Sequence, residues 1–365
     1  MHKVELSYQL SANEGRDSLI RNPLIDMLHA VQDAGSISAA ARVLGLSYRH
    51  VWGALRQAEQ SLGQPLIVWD RGQSASLTAF GSKLLWAERQ AQARLAPQIE
   101  ALKADIERAF STAFDPAAHV LTLHASHDAA LSALRTHTAG RGLHLDIRFM
   151  GSADAILALN AGRCSVAGFH TADVPGRSSM AAQTYRRLLK PGLHKLIGFA
   201  HRSQGLMLAP GNPLSVASLA DLVRPGLRYV NRSPGTGTRV LLDDLLSDSG
   251  LASNAIHGYN LEEPSHDAVA QAIASGAADA GLGIEAAARG KGLDFLPLAR
   301  ERYFLVCLTA SLDEPTVRAL REALQDPHWH ATLAALPGYS PELGGSGEVL
   351  SLKDCLPWWS FSERK

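Results

Sequence analysis

The sequence has 365 residues, and 46% of them are hydrophobic, which is enough for two or three domains with real cores. Lys plus Arg and Asp plus Glu each number 35, so the total charge indicates neither a polyanionic partner nor a membrane surface. A balanced total can still hide a basic domain, so the charge has to be read region by region.

The three cysteines, Cys164, Cys307 and Cys355, lie far apart, which excludes a Cys-x-x-Cys zinc knuckle and argues against a disulfide framework. The segment from Met1 to Ser18 has no apolar signal region, and no apolar run approaches the roughly 18 residues of a membrane span. We therefore expect a cytoplasmic protein with reduced cysteines and no membrane contact.

From Leu19 to about Phe110, apolar residues recur at spacings of three and four, which predicts successive helices. The run "PLIVWDRGQSASLT" has two short extended pieces around a polar turn containing Gly, and it predicts a β-hairpin. The predicted order is helix, helix-turn-helix, hairpin and long helix. We assign residues 1–80 to a winged helix-turn-helix domain and residues 81–115 to a linker or dimerisation helix.

The helix-turn-helix carries the candidate DNA-binding residues. Two serines can cap its helices, and the residues that open the second helix stand where a recognition helix reaches base edges and phosphates. Arginines outnumber acidic residues here, although an Ala-rich pair of helices with a few arginines can also serve packing alone. The candidate DNA contacts are Ser36, Ser47, Tyr48, Arg49, His50, Trp52, Arg56 and Arg71.

The stretch from Gly35 to Gly81 resembles the winged helix-turn-helix of LysR-type regulators and, more closely, the N-terminal domain of the molybdate-responsive regulator ModE. Ser47, Tyr48 and Trp52 match the ModE variant, in which an aromatic residue follows the capping serine and a Trp lies four positions later. The resemblance implies that the partner is a double-stranded DNA operator. It also implies a homodimer, or a tetramer, formed through the long helix.

After residue 118, short apolar strands alternate with helices of about ten to twelve residues, a pattern typical of α/β units around a mostly parallel sheet. About 200 residues of such units suit two lobes better than one small domain. We assign residues 116–335 to a two-lobed α/β domain. The tail, residues 336–365, is rich in Gly, Pro and Ser, and we expect it to be irregular and packed on the body.

Several predicted strands of this domain end in hydroxyl, glycine or basic residues that begin the next helix. Ligands of open α/β folds bind at these ends, where helix N-termini offer free N–H groups. Any one serine alone can be an ordinary helix cap, but hydroxyls at several helix starts, with arginine nearby, suit a tetrahedral oxyanion. The candidates are Ser126, His127, Gly151, Ser152, His170, Arg232, Thr236, Gly237, Thr238, Arg239, Ser265 and His266.

Two segments, Gly151–His170 and Tyr229–Arg239 ("YVNRSPGTGTR"), resemble periplasmic-type binding proteins of type II, especially those that bind tungstate or molybdate. The resemblance implies molybdate or tungstate as effector, no further cofactor and no metal except within the oxyanion. By this resemblance, the residues expected to contact the oxyanion are Ser126, Ser152, Arg232, Thr236, Gly237, Thr238 and Arg239.

The glycine-rich loop also raises the possibility of an enzyme. The run "SPGTGTR" lacks the lysine of a Walker phosphate loop, and neither Gly-x-Ser-x-Gly nor His-Glu-x-x-His is present, so no catalytic residue is predicted. We therefore predict a ligand-responsive transcription regulator that senses a tetrahedral oxyanion. The open alternatives are a sensor of another anion, a small metabolite or a molybdenum-pterin cofactor, and a phosphate-handling enzyme.

Overall fold

The computed structural model describes residues 22–68, 75–114, 119–173, 176, 179–342 and 345–359. The chain divides into two compact units, Met1–Ala96 and Pro97–Lys365. The long helix α4, Ala79–Phe114, contains residues of both units, with Pro97 inside it. Within the described ranges, no helix is both long enough and apolar enough to cross a membrane.

The N-terminal unit has the predicted order of elements. Its helices are bounded by local signals: Asn22 caps the first helix by accepting from the Leu24 amide, and Gly35 ends it in the left-handed conformation. The elements before α4 are α1 (Pro23–Ala34), α2 (Ile37–Leu44), α3 (Tyr48–Leu62), β1 (Ile67–Val68) and β2 (Ser76–Leu77). The pairing of Ile67 with Leu77 confirms the hairpin over its described residues.

A buried carboxylate joins the helices of this unit to its hairpin. Glu59 of α3 is 8% exposed, and its Oε1 accepts from the amides of Leu66 and Ile67 at 2.8 and 3.2 Å. These bonds satisfy two buried N–H groups where the chain enters β1. The position of the hairpin is therefore tied to the helix that we expect to read DNA.

The C-terminal unit is an α/β structure with a ten-stranded sheet. Its strands are β3 (His119–Ala125), β4 (Leu143–Phe149), β5 (Val166–Ala172), β6 (His194–Leu208), β7 (Tyr229–Arg232), β8 (Glu262–Glu263), β9 (Ala280–Ile284), β10 (Asp294–Leu308), β11 (Tyr339–Pro341) and β12 (Val349–Leu350). Its helices are α5 (Ala129–Ala139), α6 (Ser152–Asn160), α7 (Met180–Tyr185), α8 (Gly237–Asp248), α9 (His266–Ala274), α10 (Glu285–Gly290), α11 (Pro315–Gln325), α12 (Pro327–Ala334) and α13 (Leu352–Cys355). Short 3₁₀ turns occupy Leu219–Val223, Ser253–Ala255, Thr309–Ser311 and Pro357–Trp359.

The strand order, β4-β3-β5-β10-β6-β9-β7-β8, contains two parallel groups. The strands β4, β3 and β5 run parallel to one another, as do β9, β7 and β8. Between them lie the long antiparallel strands β10 and β6, of 15 residues each. The expectation of a mostly parallel sheet therefore holds within each group only, because two strands that link the groups in opposite directions must pair antiparallel.

The C-terminal tail differs from the expected irregular structure. The short strands β11 and β12 both pair with β6, and Trp358 packs near Tyr185 with ring centroids 6.2 Å apart. A strand of the length of β6 has backbone groups beyond those used by β10 and β9, and the tail satisfies some of them. The described part of the tail, residues 336–342 and 345–359, is thus packed on the body, as expected, and contributes to the sheet and the core.

Candidate ligand site and DNA-binding surface

The ends of the two parallel groups meet inside the C-terminal unit. A Cβ atom placed on Gly151, before α6, would lie 3.1 Å from the Gly235 carbonyl oxygen. A Cβ on Gly237, the first residue of α8, would lie 3.1 Å from Cδ2 of His170 in β5. Only glycine allows these approaches without displacement of the neighbours. The two glycines thus let the start of α8 approach strands of the other group.

Beside this junction lies a buried ion-pair network centred on Arg202 of β6, which is 1% exposed. Its Nε lies 2.8 Å from Glu301 Oε2 and its Nη1 lies 2.5 Å from Asp128 Oδ2, while the Tyr339 hydroxyl also donates to Asp128. Burial alone would lower the pKa of Arg202, but the carboxylates of Glu301 and Asp128 outweigh it and raise that pKa. The charge of Arg202 is therefore neutralised by carboxylates of the protein itself.

Arg232, at the end of β7, is a buried cation of a different kind. It is 2% exposed, its Nη1 donates to the Glu263 carbonyl at 2.9 Å, and its Nε has no partner in the described part of the chain. No carboxylate of the described residues forms an ion pair with it. Burial, followed by repulsion from Arg202, lowers the pKa of Arg232 to about 10, so it is still charged at neutral pH. Burying a charge without a counter-charge costs free energy, so a bound anion would stabilise this arginine.

Several other buried polar atoms of the C-terminal unit are also open, that is, without a hydrogen-bond partner among the described residues. Buried polar groups are normally hydrogen-bonded, so a set of open ones on converging elements is typical of a binding site. Burial, with help from Arg202 and Arg232, lowers the pKa of His170 and of His266 well below the usual range, so both rings are neutral at pH 7. Among the described residues, the open atoms include Ser126 Oγ, both ring nitrogens of His170, Gln204 Oε1, Arg232 Nε, His266 Nδ1 and Tyr303 Oη. The Ser152 hydroxyl faces the buried Tyr185 hydroxyl.

Three other predicted ligand residues, Thr236, Ser265 and His127, lie against groups of the protein itself. The Thr236 hydroxyl donates to the Ser233 carbonyl, and Ser265 caps α9 by accepting from the Ala268 amide. His127 packs edge-on against Phe149, with its Nε2 3.4 Å from Glu100 Oε1.

Two residues of the loop at the start of α8 have different surroundings. Thr238 Oγ1 accepts from Gln204 Nε2 at 3.0 Å, close to His266. The Arg239 guanidinium lies over the Tyr259 ring, 3.9 Å from its centroid, and its Nε is 3.6 Å from Asp243. The structure therefore brings Thr238 to the open atoms and places the Arg239 guanidinium against a separate loop.

Four residues of this site were missed by sequence reasoning: Arg202 and Gln204 of β6, and Glu301 and Tyr303 of β10. The available signal was the presence of polar residues inside otherwise apolar strand runs, as in "FAHRSQGLML". Polar side chains in a buried strand need partners, so they can mark a buried network before the structure is known. Among the described residues, no group of three or more His, Cys, Asp or Glu side chains could hold a metal ion.

In the N-terminal unit, the predicted DNA-binding residues fall into two sets. Ser36 and Ser47 cap α2 and α3 by accepting from the amides of Ala39 and His50. The residues that open α3 are solvent-exposed, with Tyr48 and Trp52 at 51% and 41%. The exposed set on α3 comprises Tyr48, Arg49, His50, Trp52 and Arg56. Arg71 lies outside the described residues.

Two protein families match this chain. Residues 24–82 match the bacterial regulatory helix-turn-helix protein family of the lysR type, and residues 133–325 match the PBP superfamily domain. The second match covers more than half of the chain. The first match runs from the second residue of α1 to the start of α4. The second contains the loop from Arg232 to Arg239 and most of the sheet.

Two curated relatives match part of this chain. The uncharacterized protein YvgK of Bacillus subtilis is 33% identical over 198 residues, which are 54% of this chain and 63% of the relative. An uncharacterized Clostridium pasteurianum protein, from the region 5′ of a 2Fe-2S ferredoxin gene, is 33% identical over 113 residues, or 31% of this chain and 98% of that protein. This chain thus spans under two thirds of the Bacillus relative.

Solved structures are also similar, at low sequence identity. An OxyR mutant of Corynebacterium glutamicum matches 86% of this chain and 94% of its own, with 19% identity and a TM-score of 0.41. The LysR family transcriptional regulator CbnR matches 82% of this chain and 98% of its own, with 16% identity and a TM-score of 0.40. By its family matches, this chain belongs to the PBP superfamily and carries, ahead of that domain, a helix-turn-helix of lysR-type bacterial regulators.

Proposed function

We propose that this protein is a ligand-responsive transcription regulator whose PBP-like domain senses a tetrahedral oxyanion, with molybdate or tungstate as the effector. The helix-turn-helix family consists of DNA-binding regulators and not of enzymes, which supports the DNA-binding role. The partners in this proposal are a double-stranded DNA operator and a second copy of the chain, bound through α4.

The observation that carries the ligand proposal is the buried Arg232. Its guanidinium has an open Nε and no ion-pair partner among the described residues, and the hydroxyl of Ser126 is open as well. A tetrahedral oxyanion supplies both the counter-charge and several acceptors for these donors. The nearby arginine Arg202 cannot take this role, because Glu301 and Asp128 already neutralise it.

Thermal unfolding with added anions tests this proposal. At a ligand concentration a hundredfold above the dissociation constant, binding should stabilise the folded protein by about 2.7 kcal/mol. Arg232→Ala should weaken anion binding by about 1.5–3 kcal/mol, since it removes hydrogen bonds from a charged donor. The matched control is Arg228→Ala: Arg228 lies one residue before β7, but it is exposed and paired with Asp279, so anion binding should be unchanged.

Different anions distinguish the possible effectors. Stabilisation by molybdate or tungstate supports the effector named above. Stabilisation by sulfate, phosphate or a small organic acid alone would keep the sensor and replace its ligand. If none of these anions raises the unfolding temperature, or if Arg232→Ala binds them as the unmodified protein does, the site is assigned wrongly.

A further inference from the structure

A chain of hydrogen bonds leads from a buried carboxylate to a histidine of the ligand site. Glu301 Oε2 accepts from Gln204 Nε2 at 2.9 Å, and the same amide nitrogen donates to Thr238 Oγ1 at 3.0 Å. Thr238 Oγ1 lies 3.5 Å from His266 Nε2. All four side chains are buried, with exposures of 0–4%. We call these four residues the relay.

The direction of the relay follows from the carboxylate. An ionised carboxylate only accepts hydrogen bonds, so it holds the Gln204 side chain with its NH₂ group toward Glu301. The second hydrogen of that NH₂ group then reaches Thr238 Oγ1, which acts as the acceptor. The opposite orientation of the amide would set the Gln204 carbonyl oxygen against the carboxylate oxygen and would be repulsive.

The Thr238 hydroxyl also needs a hydrogen-bond acceptor for its own hydrogen. Its side chain is 2% exposed, and the acceptor within reach among the described residues is Nε2 of His266. A neutral imidazole that accepts at Nε2 carries its proton on Nδ1. The Nδ1 atom of His266 is buried and has no partner in the described structure. Burial and the two nearby arginines keep this ring neutral by lowering its pKa.

We propose that Glu301, Gln204 and Thr238 fix the tautomer of His266, so that its Nδ1–H is a ready hydrogen-bond donor to the bound ligand. Together with Arg232 Nε–H, this gives two buried donors that select a ligand presenting acceptors only. Thr238 acts here as a positioning residue. The ligand part of this inference rests on the proposed oxyanion function, whereas the tautomer can be tested on the protein alone.

The first experiment reads the tautomer by ¹⁵N NMR of the full-length protein without ligand, with the His266 signals assigned through His266→Gln. The unmodified protein should show the proton on Nδ1. Thr238→Val keeps the shape but cannot donate, so the proton should shift wholly or partly to Nε2. Thr238→Ser should restore the original spectrum. Thr138→Val, at a buried threonine of α5 that bonds to its own helix, is the control and should leave the His266 signals unchanged.

A proton on Nε2 in the unmodified protein would overturn the relay, and so would an unchanged His266 spectrum in Thr238→Val. The second experiment is a titration with molybdate. Thr238→Val should bind about tenfold more weakly, the loss expected for roughly one hydrogen bond to an anion, and Thr238→Ser should bind nearly as the unmodified protein does.

Equal affinity in Thr238→Val would remove the role of the relay in binding, even with the predicted tautomer. If molybdate, tungstate, sulfate, phosphate and small organic acids all fail to bind the unmodified protein, the proposed function fails. The NMR spectrum then still decides whether the relay exists.

Discussion

Two arginines of one loop, Arg232 and Arg239, show how the same residue type takes opposite roles. Both lie within a short Gly- and Thr-containing segment, and both are buried. Arg239 is matched inside the protein by Asp243 and by the Tyr259 ring. Arg232 has a backbone partner at Nη1 and an open Nε. The sequence pattern predicted both as ligand contacts, and only the packing of the Tyr259 loop distinguishes them.

The two buried histidines of the candidate site, His170 and His266, should make the stability of the protein depend on pH. The pKa values of His170 and His266 in the folded protein lie well below 6.5, so the folded state does not bind protons that the unfolded chain binds near that pH. Their contribution to stability is therefore complete above about pH 6.5 and is lost as the pH falls. Each histidine should lower the free energy of unfolding by up to about 1.4 kcal/mol per pH unit below that point.

Chemical denaturation between pH 7.5 and 5.5, without ligand, measures this dependence. The double variant His170→Gln/His266→Gln should lose stability less steeply with falling pH than the unmodified protein. The difference between the two slopes isolates the histidines from the carboxylates that both proteins share. Equal slopes would show that the two rings are protonated in the folded state as readily as in the unfolded chain.

At the scale of elements, most helices and strands followed from local patterns. The caps at Ser36 and Ser47 and the glycine after each helix mark the ends of α1 to α3, because these signals act within one turn. The full length of β10 did not follow. Its first half, Asp294 to Arg300, has no fully buried residue and contains Pro297, which weakens a strand prediction.

The candidate ligand site was predictable only in part, because a local sequence pattern does not show which distant residues meet in the fold. Ser126, Ser152 and Arg232 stand directly at strand ends, where chain order alone places them near helix N-termini. Arg202 and Glu301 are 99 positions apart, and they meet only because β6 and β10 pair antiparallel along their length. No local pattern specifies which buried charge is neutralised by a distant strand, so the open arginine could not be separated from the paired one.

The exposed start of α3 makes a prediction for DNA binding. Arg49 is solvent-exposed near the N-terminal end of the predicted recognition helix. Arg49→Ala should weaken operator binding by about 1–3 kcal/mol if the side chain reads a base, with relaxed specificity at that position. Gln60→Ala, at an exposed position near the far end of α3, is the matched control. Unchanged operator affinity in Arg49→Ala, measured at one fixed salt concentration, would mean that another surface meets the DNA.

At the scale of the whole molecule, a sensor needs a free-energy coupling between its two units. An anion can change DNA binding only if it binds the DNA-bound and the DNA-free protein with different affinities. By linkage, the factor by which the anion changes DNA affinity must equal the factor by which DNA changes anion affinity. Couplings of this type typically amount to about 5–150-fold.

Two titrations test this coupling. The dissociation constant for operator DNA is measured with and without saturating molybdate, and the dissociation constant for molybdate with and without operator. We expect the two ratios to agree. Arg232→Ala should keep the DNA affinity of the ligand-free protein and lose its dependence on the anion, because it alters the ligand site alone. Molybdate binding with both ratios equal to one would leave an anion-binding protein that does not regulate through this ligand.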